Sequence, residues 1–142
     1  MQVYTSRAFE LKKDIDTVYE LASNPSNLAS IAGKFSQHLK DLDLELNEKE
    51  IQFKAPVIGV IRLTKTEEVA PNTIKYEATK SSIPLSVILN FSKSSEEVTL
   101  GQISLEVNVP PFLSSMVKNK VEPALEKVST LLEQVDFNRL LK

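Results

Sequence analysis

The feature that most constrains the fold is a run of strand patterns followed by one long amphipathic helix pattern. From residue 39 to residue 109, apolar and polar residues alternate in about six segments, as expected for half-buried antiparallel strands. Turn-forming residues separate the segments, for example Pro71 at the second position of a predicted β-turn. The alternation leaves one apolar face, which a second layer must cover.

The C-terminal segment is the only element long enough to cover that face. Pro110 and Pro111 end the strand pattern, and apolar residues then recur at spacings of three and four. This stripe consists of Leu113, Val117, Val121, Ala124, Val128, Leu131 and Val135. Pro123 lies within the stripe, and a proline inside a helix removes one backbone hydrogen bond. We therefore expect a kink or a break in the helix at this residue.

The N-terminal segment predicts a strand followed by two short helices. The residues that share one face of this strand are Val3, Thr5, Arg7, Phe9 and Leu11. Asp14 is a suitable N-cap for the first helix. Asn24 and Pro25 predict its end and the start of a second short helix.

The last strand, residues 98–109, changes phase along its length. Val98 and Leu100 alternate out of step with the apolar residues that follow. A bulge at Gly101 would bring the two halves of the strand into one phase. We therefore expect an irregularity at this glycine.

The order of elements predicts a single α+β domain spanning residues 1–142. A curved antiparallel sheet of about six to seven strands would wrap around the long C-terminal helix, with two short helices after the first strand. A curved sheet that grips one helix rarely packs flush against it. We therefore expect a cavity between the sheet and the helix.

Composition argues against several classes of function. The formal net charge is −2, whereas nucleic-acid binders carry a basic patch. The chain has no cysteine, and His38 is its only histidine, so we expect no metal site and no cofactor. Three glycines are too few for a phosphate loop or a dinucleotide fingerprint. The longest apolar run, residues 57–61, is too short to span a membrane, so we expect a cytoplasmic protein without membrane insertion.

Two segments resemble the START-like superfamily, also called SRPBCC or polyketide cyclase-like, whose members have the helix-grip fold. Residues 14–21 and 24–28 are similar to the N-terminal part of many members, in which a capped helix is followed by a second helix that begins with proline. Residues 121–132, with Pro123, are similar to the C-terminal helix of several bacterial members. Many members carry tryptophan in the second short helix, where this chain has Ile31. The resemblance implies an internal cavity for a small hydrophobic or amphipathic molecule.

The predicted cavity is lined by inward-facing residues of the strands and the helix. The candidate ligand-binding residues are Phe53, Leu63, Tyr76, Leu89, Phe91, Leu105, Met116 and Ala124. Arg7 is a candidate polar anchor, because an inward arginine requires an anion. The alternative is that Arg7 extends from the sheet edge into solvent.

Three functions are compatible with this sequence. The first is a non-enzymatic carrier or sensor that binds a small hydrophobic or amphipathic ligand, such as a lipid. The second is a cyclase-like or hydrolase-like enzyme that uses a polar group with a shifted pKa in the same cavity; no catalytic residue stands out for this role. The third is a protein-interaction module with a filled core and an apolar patch on the outer face of the sheet, for which Ile88 is the only indication.

Overall fold

A single antiparallel sheet forms the body of the protein. The computed structural model describes residues 2–24, 27, 43–46, 50–55, 59–78 and 83–135. The strands within these residues are β1 (Gln2–Thr5), β2 (Phe9–Leu11), β3 (Asp43–Leu46), β4 (Glu50–Ala55), β5 (Gly59–Val69), β6 (Thr73–Ala78), β7 (Leu85–Ser95) and β8 (Val98–Val107). Their order is β1-β8-β7-β6-β5-β4-β3, and β2 also pairs with β8.

The helices confirm the predicted α+β helix-grip architecture. Helix α1 (Ile15–Ser23) contacts β7 and β8, while a 3-10 turn (Pro111–Leu113) leads into the long helix α2 (Ser114–Glu133). Helix α2 packs against β1 and β2. Apart from residue 27, the second short helix was predicted for residues that lie outside the described part of the chain. Within the described part, no helix is both long enough and apolar enough to cross a membrane.

The first predicted strand is divided into β1 and β2 by one extra residue. Thr5 lies opposite Ser104, but Phe9 lies opposite Gly101, so residues 6–8 contain one residue more than β8 does. Ser6, at this division, is buried. Its N–H donates to the carbonyl of Ile103 at 2.8 Å, and its Oγ accepts from the N–H of Ile103 at 2.9 Å.

The extra residue reverses the alternation of the first strand, because a shift of one residue moves every side chain to the other face. Tyr4 and Ser6 therefore face the core together with Phe9 and Leu11. The residues Val3, Thr5 and Arg7 are exposed. The predicted common face for the odd-numbered residues from Val3 to Leu11 was wrong.

The predicted bulge at Gly101 was also wrong. Strands β7 and β8 keep their register through this glycine, and the irregularity lies near residues 93–95. The strand needs no phase change because Thr99, not Val98 or Leu100, faces the core. Thr99 is fully buried, and its hydroxyl donates to the carbonyl of Lys13 at 2.8 Å.

Helix α1 begins and ends where the sequence predicted. The carboxylate of Asp14 accepts hydrogen bonds from the N–H and the hydroxyl of Thr17, at 3.0 and 2.9 Å. These bonds lower the pKa of Asp14 and provide a partner for a free amide of the first turn. The helix ends before Asn24 and buries Val18, Tyr19 and Ala22 against the sheet.

Helix α2 continues through Pro123 without a break. The proline is exposed, so its ring lies on the solvent side of the helix. The carbonyl that lacks a partner belongs to Asn119, which is also exposed and can bond to water. Burial of Val117, Ser129 and Leu131 holds the helix against the sheet on either side of the proline.

Replacing Pro123 by alanine is expected to stabilise the protein by about 1–3 kcal/mol, because proline is the least favourable residue inside a helix. The gain is reduced because proline also restricts the unfolded chain. Urea unfolding should show a higher midpoint with an unchanged slope. Lys120→Ala, an exposed change on the same helix, is the control and should shift stability by less than about 0.5 kcal/mol. A lower midpoint for Pro123→Ala would contradict this account of the helix.

Candidate ligand-binding site

A row of side chains crosses the inner face of the sheet. The strand registers place Lys65 opposite Tyr76, Tyr76 opposite Val87, Val87 opposite Leu105, and Leu105 opposite Tyr4. Residues directly opposed on antiparallel strands point to the same face. Tyr76 is buried in the core, so these five residues form a row on the core side, here called the inner-face row. The row is apolar in its middle and polar at both ends.

The middle of the inner face is less completely covered than its surroundings. Val87, Leu89 and Leu105 are only partly buried, although they point toward the core. Their neighbours on the same strands and the same face are buried, namely Leu85, Phe91, Ile103 and Val107. Helix α2 packs against β1 and β2, at one side of the sheet. This combination of apolar lining and incomplete cover is typical of a ligand pocket.

One end of the inner-face row is joined to the C-terminus of α1. The Tyr76 hydroxyl donates to the carbonyl of Ala22 at 2.9 Å, and Lys65 Nζ donates to the carbonyl of Ser23 at 3.0 Å. Carbonyls in the last turn of a helix have no partner within the helix, and a cation is favourable at this end of the helix dipole. The two strand residues therefore cap α1 and fix it over the sheet.

Two further side chains complete this polar end. Lys65 forms an ion pair with Glu68, and the Tyr19 hydroxyl donates to Glu68 Oε2 at 3.1 Å. The hydrogen bond from Lys65 lowers the pKa of Glu68, so its carboxylate is ionised at neutral pH. Burial raises the pKa of Tyr76 to about 12, which keeps its hydroxyl protonated. This end of the row therefore offers one ammonium group, one carboxylate and two phenol hydroxyls.

The other end of the inner-face row opens into a cleft. Tyr4 lines a cleft of about 220 Å³ between β1 and α2, together with Leu125 and Glu122. The cleft also contains residues of the division between β1 and β2, Ser6 and Arg7. The cleft is therefore lined by polar side chains and by the apolar side chain of Leu125.

Five of the predicted ligand-binding residues lie together on the inner face. Leu63, Tyr76 and Phe91 are buried, whereas Leu89 and Leu105 are partly buried at its centre. Phe53 lies on β4 with its backbone opposite Ile61, and its side chain is outside the described part of the structure. A ligand contact for these six residues stays a prediction.

The structure places the two helix candidates elsewhere. Met116 is 45% exposed, and Ala124 is also exposed on α2. The inward stripe of the helix passes instead through Val117, Val121, Leu125 and Val128. Met116 precedes Val117 by one residue and therefore points to a different side of the helix. Ala124 is in phase with the stripe, yet it is exposed.

Arg7 lies at the sheet edge and pairs with α2. Its guanidinium donates to Glu126 Oε1 at 3.0 Å, to Glu133 Oε1 at 2.9 Å and to Thr130 Oγ1 at 3.2 Å. The hydrogen bonds to Glu133 and Glu126 raise the pKa of Arg7, and the bond from Arg7 lowers the pKa of Glu133. The anions that Arg7 requires are thus carboxylates of the protein itself, and its contacts are outside the inner-face row.

Lys65 was not among the predicted site residues, although the sequence contains a signal for it. Ile61, Leu63 and Lys65 are spaced by two, so the alternation that buries Ile61 and Leu63 also directs Lys65 inward. A lysine in phase with core residues is uncommon unless it is paired. Within the described part of the chain, no group of three or more histidine, cysteine or acidic residues could hold a metal ion.

Solved structures of known proteins share this architecture. A START superfamily protein from Mycobacterium smegmatis aligns with 93% of this chain and 94% of its own, with a TM-score of 0.62 and 12% identity. The chain has the START-like helix-grip fold. Norcoclaurine synthase from Thalictrum flavum, solved with dopamine and hydroxybenzaldehyde, aligns with 94% of this chain and 84% of its own, with a TM-score of 0.62 and 11% identity.

A third structural neighbour is a protein from Thermobifida fusca, solved by NMR. It aligns with 94% of this chain and 91% of its own, with a TM-score of 0.64 and 12% identity. No protein-family model and no curated protein matches this sequence. At these identities the likeness establishes the START-like fold, which hosts both binding proteins and enzymes.

Proposed function

We propose that this START-like chain, acting as a single cytoplasmic domain, carries or senses a small hydrophobic or amphipathic molecule between the sheet and α2. The observation that supports this most is the incomplete cover of Val87, Leu89 and Leu105 at the centre of the inner face. An apolar ligand would remove this surface from water, which is worth roughly 25 cal/mol per Å². Such binding needs few polar contacts.

The polar ends of the inner-face row favour an amphipathic ligand. Lys65 uses two of its three N–H donors, on Ser23 and Glu68, and its side chain is 32% exposed. The remaining donor is therefore available for a polar group on the ligand. The apolar part of the ligand would then lie across Val87 and Leu105 toward Tyr4.

The described groups favour binding over proton transfer. A general base that works near neutral pH needs a pKa close to that range, but Lys65 lowers the pKa of Glu68. Tyr76 is held protonated, and its hydroxyl is already bonded to the carbonyl of Ala22. These features give the enzyme alternative less support than the carrier.

The outer face gives little support to the interaction-module alternative. Ile88 is half-buried and lies opposite Lys75 on one side and Ser104 on the other. Lys75 forms an ion pair with Glu77 at 3.2 Å. The surroundings of Ile88 within the described residues are therefore polar, and an apolar docking patch requires several adjacent apolar side chains.

Val87→Trp tests the proposed cavity by filling it. We expect at least about a tenfold loss of affinity for a fluorescent fatty-acid probe, equivalent to about 1.4 kcal/mol, because the indole would occupy the space beside Leu105. The measurement is a fluorescence titration, with circular dichroism to check that the variant is folded. Ile88→Trp, the next residue on the same strand but on the outer face, is the matched control and should bind as the wild type does.

Two results would contradict the proposed function, and a third would contradict its location. One is unchanged affinity of a folded Val87→Trp variant for the probe. The other is a wild-type protein that binds neither the fluorescent probe nor any small molecule that native mass spectrometry detects after purification from its own host. Equal losses in both tryptophan variants would also count against a cavity on the inner face.

A further inference from the structure

The 3-10 turn before α2 and the first turn of α2 carry two large apolar side chains that face solvent. Phe112 is 81% exposed and Met116 is 45% exposed. Phe112 lies in the 3-10 turn and Met116 in the first turn of α2, so they are only four residues apart at this end of the helix. Pro110 and Pro111 precede them and are exposed too. Single exposed apolar residues are common on protein surfaces, but a cluster at the end of a helix indicates a contact surface.

The same segment has a charge that differs from the rest of the chain. No acidic residue occurs from Val107 to Val121, and the segment contains Lys118 and Lys120. Both lysines are exposed. The whole chain, in contrast, has a net charge of −2. The helix N-terminus adds positive partial charge here, because its first amide groups have no partners within the helix.

We propose that this segment, residues 110–120 and here called the α2 tip, docks on the surface of an anionic lipid bilayer. Phe112 and Met116 enter the boundary between headgroups and acyl chains. Lys118 and Lys120 remain at the level of the anionic headgroups. Apolar residues combined with lysines are the features that place a helix at a membrane interface.

The size of the α2 tip favours a lipid surface over a folded protein partner. A stable protein interface buries about 800 Å² on each partner, far more than one phenylalanine and one half-exposed methionine provide. A bilayer surface accepts individual protruding side chains, since lipids rearrange around them. The acidic charge of the whole chain argues against general attraction to anionic lipids, so attraction must arise locally, at the α2 tip.

This docking extends the proposed function, because a carrier of apolar molecules must exchange them with the phase in which they dissolve. The surface is peripheral and involves no membrane-spanning segment. It is also separate from the inner-face row, since the exposed side of α2 faces away from the sheet. Ligand binding and bilayer binding can therefore be lost independently.

Vesicle co-sedimentation tests the α2 tip directly. The wild-type protein should bind vesicles of phosphatidylcholine mixed with phosphatidylglycerol, bind pure phosphatidylcholine vesicles far more weakly, and dissociate as salt increases. Phe112→Ser should lower binding by about tenfold, and Lys118→Gln and Lys120→Gln by about fivefold each. Val69→Ser is the matched control, because Val69 is 61% exposed but lies on β5, and it should bind as the wild type does.

Three outcomes would overturn the docking proposal. In the first, Phe112→Ser binds anionic vesicles as well as the wild type. In the second, Val69→Ser loses as much binding as Phe112→Ser, which would show that the attachment is unspecific. In the third, sedimentation velocity shows a dimer that Phe112→Ser dissociates while no variant binds vesicles, which would assign the tip to a second copy of the chain. The fluorescence titration keeps this test separate from the proposed function, because Phe112→Ser should retain the affinity for the probe in solution.

Discussion

Replacing Gly101 by valine is expected to destabilise the protein by about 3 kcal/mol, the upper range for overpacking a core. A Cβ atom at this position would lie 2.6 Å from Cε2 and 2.9 Å from Cζ of the Phe9 ring. Phe9 is only 2% exposed, so the ring is enclosed by the core and cannot move out into solvent. Valine adds two further methyl groups to this contact. The measurement is the urea midpoint of unfolding.

Gly101→Ala separates this contact from the ordinary effect of removing a glycine. Within a strand, alanine in place of glycine reduces the entropy of the unfolded chain and would normally stabilise. Here we expect a loss of about 1–2 kcal/mol, since the single Cβ already meets the ring. Ser92→Val, an exposed change on β7, is the control and should alter stability by less than about 0.5 kcal/mol.

A double variant tests whether the Phe9 ring causes the loss of stability in Gly101→Ala. Phe9→Leu removes the ring atoms that the new Cβ would meet, so Gly101→Ala should cost less in that background than in the wild type. Additive losses would show that the glycine is required for another reason. A Gly101→Ala variant as stable as the wild type would contradict the close packing of Phe9 against β8.

Alternation in the sequence predicted most of the sheet because most of its strands bury one face. Leu85 and Phe91 on β7, and Ile74 and Tyr76 on β6, all face the core as their spacing indicates. The Asp14 cap could be predicted because its interaction with Thr17 spans only three residues. Such local signals depend on neighbouring positions in the chain, which the sequence displays directly.

The errors in the sheet arise where a polar residue is buried with a partner that is distant in sequence. Ser6 is buried because its hydroxyl bonds to the backbone of Ile103, 97 residues away. Thr99 is buried because its hydroxyl bonds to the carbonyl of Lys13, 86 residues away. A buried polar group is tolerated when it is hydrogen-bonded, but hydropathy alone assigns both residues to the solvent side.

The candidate site likewise contains positions that alternation predicts and contacts between residues distant in sequence, which it does not predict. The inner-face positions of Leu89 and Leu105 follow from alternation, and Lys65 could have been added by the same rule. The contact between Tyr19 and Glu68 spans 49 residues, and that between Tyr76 and Ala22 spans 54. No periodicity indicates which helix end lies above which strand. On α2, Ser129 is fully buried because its hydroxyl bonds to the carbonyl of Leu125 within the helix.

Truncating Tyr76 to alanine is expected to destabilise the protein by about 4 kcal/mol, in the range found for large buried aromatic residues. Tyr76 is 2% exposed and lies between Lys65 and Val87 on the inner-face row. Loss of the ring leaves a cavity under α1, and loss of the hydroxyl leaves the carbonyl of Ala22 without its partner. Total stabilities of domains are about 5–15 kcal/mol, so this loss would remove roughly a quarter or more of the total.

Tyr76→Phe isolates the hydroxyl from the ring. We expect a loss of about 1–3 kcal/mol, the cost of an unpaired buried carbonyl, with little change in packing.

The Tyr76 phenol also predicts that the stability depends on pH. Its pKa is raised from 10.0 to about 12 in the folded protein. The unfolded chain therefore releases this proton first, and the stability contributed by Tyr76 is lost as the pH rises through that interval.

Urea unfolding of the wild type and Tyr76→Phe across this alkaline interval checks both effects. The difference in the free energy of unfolding between the two proteins should be largest below about pH 10 and should shrink toward pH 12. Only the wild type carries the hydroxyl that titrates in this interval. Tyr4→Phe, at the other end of the inner-face row, is the control for removing a phenol that has no bond to α1. A constant difference at every pH would contradict the raised pKa of Tyr76 and, with it, the burial of its hydroxyl under α1.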